Sequence, residues 1–123
     1  MENKKEKIKK LAEEINKIDN NTVYELKVES TLENVIPLYA CNYFNLFPHR
    51  HVTGKRIKFW MGDEQILQKV LTEYLVHDFD YEITDEKIVF SVHYTRILFG
   101  KDKVEVKEKI TLTKTNLDWK DIL

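Results

Sequence analysis

A single cysteine, Cys41, stands among the 123 residues. No internal disulfide can form, which excludes the stapled scaffolds of small secreted proteins and makes the reducing cytoplasm the expected compartment. Glycine occurs three times, at 54, 62 and 100, and proline twice, at 37 and 48. Collagen and low-complexity tails are excluded, and so is a glycine-rich phosphate cradle, whose glycines must recur within a few residues. There is no G-x-S-x-G elbow and no Walker loop, so the motif-borne routes to ester and nucleotide hydrolysis are missing. No window approaches the ~18 apolar residues of a transmembrane helix. The stretch from Met1 to Lys5 leads into a charged amphipathic segment and lacks the apolar core of a secretion signal. Neither sign of charge dominates: 20 Lys and Arg against 21 Asp and Glu leave a net charge of −1, too little to steer the whole chain towards DNA or a membrane surface.

What the chain does have is 42% hydrophobic and 33% charged residues, the balance of a folded globular protein. Its length fits one domain over residues 1–123, with one core. The basic residues are 17 Lys and only three Arg, and Ala occurs twice. That bias fits an AT-rich genome, such as a low-GC bacterium or its phages and plasmids, and carries no chemistry.

Ile8, Leu11, Ala12, Ile15 and Ile18 recur at spacings of three and four, which predicts a helix opened by Asn3 and Glu6 as a capping box and closed at Asp19-Asn20-Asn21. Tyr24, Leu26 and Val28 then alternate with Glu25, Lys27 and Glu29 as a half-buried strand. Ser30 to Pro48 reads as irregular. From Lys55 to Met61 the parity predicts a strand with Ile57, Phe59 and Met61 on one face and Arg56, Lys58 and Trp60 on the other. Asp63 caps a second helix whose stripe is Ile66, Leu67, Val70, Leu71, Tyr74 and Leu75. Three strands follow, Phe79–Ile83, Ile88–Phe99 and Val104–Thr113, with turns at Asp85-Glu86 and at Phe99-Gly100-Lys101-Asp102. The expected fold is α+β: two main helices packed on an antiparallel sheet of about five strands, ending in a three-strand meander. In outline, a helix followed by such a meander is similar to cystatin-like and NTF2-like domains, a likeness of fold that implies no function.

Charge is segregated along the chain. His49 to Lys58 holds Arg50, Lys55, Arg56 and Lys58 and no acid, whereas Asp63 to Lys87 holds eight acids against Lys69 and Lys87. The basic segment is either a solvated strand face paired with the acidic one or a surface for phosphates, with Trp60 as a stacking ring. Aromatic residues gather at Tyr39, Tyr43, Phe44 and Phe47, a docking surface or the completion of the core. His49 and His51 share a strand face, but no zinc-ligand motif accompanies them, and no metal or cofactor is expected. His77 is placed at the end of the second helix, where a cation suits the dipole. If that helix end meets the strand of His93, then His77, Asp78 and His93 form a polar cluster able to move a proton. Glu108 interrupts the apolar row Val104, Val106, Ile110 and Leu112, as inward charges on edge strands do. Trp119, Ile122 and Leu123 have the spacing of a short helix seated in a groove, its own or a partner's.

Three functions remain open on this reading. The first is a small intracellular, non-enzymatic protein-binding module, an inhibitor or adaptor of the kind mobile elements encode. It would use Tyr43, Phe47, His49, Arg50, Lys55, Arg56, Lys58 and Trp60, together with the acids Asp78, Asp80 and Glu82. The second is a nucleic-acid binder working through the basic strand, and the third a small enzyme or ligand-binding domain around His77, Asp78 and His93. No membrane partner is expected.

Overall fold

The computed structural model describes residues 3–31, 50–73, 76–98, 100 and 102–122. Helix α1 (Lys4–Ile15) starts where Asn3 Oδ1 accepts from the Glu6 N–H at 2.8 Å, and it buries Ile8, Leu11, Ala12 and Ile15 as one stripe. Strand β1 (Thr22–Ser30) follows. Strand β2 (His51–Thr53) leads directly into helix α2 (Gly54–Met61), and helix α3 (Glu64–Glu73) comes next. The Asp63 carboxylate accepts from the N–H groups of Gln65 (2.9 Å) and Ile66 (3.2 Å), the cap that the sequence announces. Strands β3 (Val76–Ile83), β4 (Lys87–Leu98) and β5 (Asp102–Asp118) form the expected meander, and one 3-10 turn (Trp119–Ile122) ends the described chain. The fold is α+β.

All five strands join one antiparallel sheet in the order β2-β1-β5-β4-β3. The helices lie on one face. Tyr24, Phe79, Ile88, Phe90, Val92, Tyr94, Val106, Ile110 and Leu112 point into that face and meet Ile8, Leu11, Ile15, Ile57, Met61, Leu67 and Leu71 from the helices. Each such side chain contributes about 1.5–3 kcal/mol by leaving water. The other face is polar, as an antiparallel sheet covered on one side allows.

Residues 55–61 are not a strand but most of α2. Ile57 and Met61, which share a face under either period, are fully buried, whereas Phe59, expected beside them, is 66% exposed. Thr53 Oγ1 accepts from the Arg56 N–H at 3.3 Å and caps the helix. Gly54 decides the register, since a Cβ there would lie 1.8 Å from the Asp19 carbonyl oxygen. Only glycine lets the 19–20 turn approach closely enough for Asn20 O to accept from the Lys55 N–H at 3.0 Å. The second strand of the sheet is therefore the three-residue β2, and there are three main helices among the described residues.

Two further expectations are corrected. His77 does not close a helix, because it lies in β3. Glu108 does not guard an edge, because β5 is the central strand; the carboxylate is buried, and its Oε2 accepts from the Tyr94 hydroxyl at 3.1 Å.

Candidate functional site

The first candidate surface is α2. Helical spacing puts Lys55 over Phe59 and Arg56 over Trp60, each four residues apart. The alternating faces expected of a strand are gone, but Lys55, Arg56, Lys58, Phe59 and Trp60 still line a single cavity of about 600 Å³, with Asn20 and Thr53. The Phe59 and Trp60 rings meet edge to face at 5.2 Å. The first turn of α2 carries no acid, and Lys55 and Arg56 stand at its positive end. Cations there oppose the helix dipole, so an anion drawn to this end is favoured twice, by the side chains and by the backbone.

The second lies on the open face of the sheet. Val76 pairs with Tyr94 and Asp78 with His93, so His77 is the extra residue of a bulge. The bulge turns His77 towards the same face as His93, and the two rings stand 5.2 Å apart. Asp78 does not join them; its carboxylate lies 4.0 Å from the Lys7 ammonium. In its place comes Glu105, with Oε2 2.8 Å from His93 Nε2 and 3.5 Å from His77 Nε2. Thr95 Oγ1 donates to Glu105 Oε1 at 2.8 Å and is also bonded to His77 Nε2. The Thr95 hydroxyl, aided by both imidazoles, holds the Glu105 carboxyl below the usual range. Such a network orients imidazoles and can pass a proton, but it is open to water on one side.

Glu105 is the member that residue-by-residue reading missed. A signal for it existed: with Gly100 at the turn (φ 75°), Leu98 pairs with Asp102, and the same register sets Thr95 opposite Glu105 and His93 opposite Lys107. Beside the cluster runs a trough of about 430 Å³ across β1, β5, β4 and β3. The register flanks it with two cross-strand rows, Glu29, Lys109, Ser91 and Asp80 on one side and Thr31, Lys107, His93 and Asp78 on the other. Among the described residues no group of three His, Cys, Asp or Glu is placed to hold a metal ion, and no helix is long and apolar enough to cross a membrane.

The third is the edge strand β3, where Asp78, Asp80 and Glu82 are exposed on the open face. The fold separates these acids from the basic helix: α2 follows β2 at one edge of the sheet, and β3 forms the other. Their partner is instead Lys7 of α1, 3.6 Å from the Asp80 carboxylate. Arg50 is exposed at the entry to β2, and its carbonyl accepts from the Leu26 N–H at 2.9 Å. Tyr43, Phe47 and His49 lie outside the described residues, as does Cys41.

Comparison with protein-family models, with curated proteins and with solved structures finds no match. The functional reading rests on the geometry of this chain.

Proposed function

We propose that this chain is a non-enzymatic binding module, an inhibitor or adaptor, that docks a protein partner through α2. The observation that carries the reading is Phe59, 66% exposed on a helix whose neighbouring side chains are Lys55, Arg56, Lys58 and Trp60. A large ring held in water beside Arg and Trp is the composition of an interface centre, where a few such residues supply most of the affinity. The partner that fits offers an apolar hollow to Phe59 and carboxylates to the basic residues around it.

The test uses tagged full chain and nuclease-treated host extract, with wild type, Phe59→Ala and Lys55→Glu/Arg56→Glu run in parallel. Wild type should retain a stoichiometric protein, identified by mass spectrometry, and both variants should lose it by ~10-fold or more while keeping the wild-type circular dichroism. Equal retention by all three proteins overturns the proposal.

A second reading is single-stranded nucleic acid, favoured by the one observation that two rings and three cations line the same cavity. It expects bound material that vanishes with nuclease and an affinity that falls steeply with salt.

A further inference from the structure

Among the described strands β3 forms an edge of the sheet, and the orientation of its backbone can be read from its turn. Thr84 N–H donates to Lys87 O at 2.9 Å, a ladder bond between β3 and β4. Bonding in an antiparallel pair repeats every second residue, so the even residues of β3 bond to β4. The odd ones, Phe79, Tyr81 and Ile83, turn their N–H and C=O groups to the outer edge. Phe79 O accepts from Lys7 Nζ, and the Tyr81 N–H donates to Asp80 Oδ1 at 2.9 Å. The same Lys7 ammonium lies 4.8 Å above the Phe79 ring, 3.6 Å from the Asp80 carboxylate and 4.0 Å from that of Asp78.

The edge thus contains a formed site for an ammonium group, made of two carboxylates, a backbone carbonyl and an aromatic face, and a lysine of the same chain sits in it. We propose that the β3 edge is a strand-addition site for an extended basic segment of another protein, and that Lys7 holds it closed. The segment would add antiparallel to β3, with Lys or Arg opposite Asp78, Asp80 and Glu82 on the open face. Its alternate, apolar side chains would cover Tyr81 and Ile83, which are half-buried on the core side. A second copy of this chain does not fit, since pairing two β3 edges sets acids against acids, and like charges directly opposite destabilise. This surface is distinct from α2, at the opposite edge of the sheet.

The test uses the full chain with an acetylated, amidated peptide of alternating lysine and valine, and a counterpart with glutamate for lysine. Calorimetry gives the affinity, and amide NMR gives the place. Lys7→Ala should bind the lysine peptide ~10-fold or more tighter than wild type, the factor that one strong charge-assisted contact sets. Asp78→Asn/Asp80→Asn should lose a similar factor, and the glutamate peptide should not bind. The amides of Phe79, Tyr81 and Ile83 should gain exchange protection. Lys7→Gln, which keeps the stem over Phe79, serves if the alanine variant is unfolded by circular dichroism. Equal affinity of wild type and the Lys7 variants overturns the proposal, as does protection confined to other strands. Self-association of Lys7→Ala without peptide also overturns it, because the edge would then be guarded against a second copy. Phe59→Ala should leave peptide binding unchanged, so this test and that of the α2 surface fail separately.

Discussion

Glu108 faces the helices from the centre of the sheet, 2% exposed, between Ser30 on β1 and Val92 on β4. A carboxyl group taken out of water needs hydrogen bonds to offset its lost hydration, and the Tyr94 hydroxyl supplies one at 3.1 Å. Tyr94→Phe should therefore cost about 1–3 kcal/mol, the penalty for removing one partner of a buried polar group. A urea midpoint equal to that of wild type would count against this. Glu105 makes the opposite case, on the surface. Its carboxyl is held low in the folded protein by Thr95 and the two imidazoles, so its stabilisation is complete above the ordinary carboxylate range and lost as pH falls through the lowered folded value. Glu105→Gln should lower stability at neutral pH and converge on wild type as pH falls, so that the acid limb flattens, which thermal unfolding between pH 3 and 7 can show. The legibility of these two residues differs for a physical reason. Glu108 was visible as an acid in an apolar row, but only the strand order says whether such a row lies at an edge or in the middle. Glu105 looked like one acid among many until the turn at Gly100 set its partner.

At the scale of elements, α2 shows where local pattern misleads. Positions 57 and 61 share a face at period two and at period 3.6 alike, and what separates the readings is Phe59, which is exposed, and Trp60, which packs against the core. A short run with one β-branched residue, Ile57, and several good helix formers leans to the helix, and the Thr53 cap completes it. The contact that settles the matter is long-range, between Gly54 and the Asp19 carbonyl, and no local pattern contains it. Gly54→Ala should push the 19–20 turn off the helix and destabilise by about 1–3 kcal/mol, the range for an overpacked site. Calorimetry that finds the variant as stable as wild type would refute the close approach. The first helix, the Asp63 cap and the meander were all readable because each rests on residues close together in the chain.

The whole molecule adds what neither scale contains. In sequence the basic run and the acidic run are close neighbours, and mutual pairing was one expectation; in the fold the acids Asp78, Asp80 and Glu82 stand at the edge of the described sheet opposite the basic helix. The edges also differ in strength. β5 spans 17 residues and bonds on both sides, whereas β2 has three residues paired to β1 alone among the described strands. Native-state hydrogen exchange should therefore be slowest in β5 and β4 and fastest in β2. Faster exchange in β5 than in β2 would contradict the strand order.

The central position of β5 also governs the order of assembly. β1 and β4 touch the same strand and not each other, and that strand comes last of the five in the chain. During synthesis the first strand leaves the ribosome without the strand that, among the described residues, links it to the β3–β4 hairpin. Tyr24 waits for Lys114, and Val28 for Ile110. Pairings so distant in sequence close slowly, because a long loop must be ordered before any bond rewards it. Until β5 is made, β1 and the β3–β4 hairpin lack their common neighbour, and the sheet closes only when the last strand enters its middle.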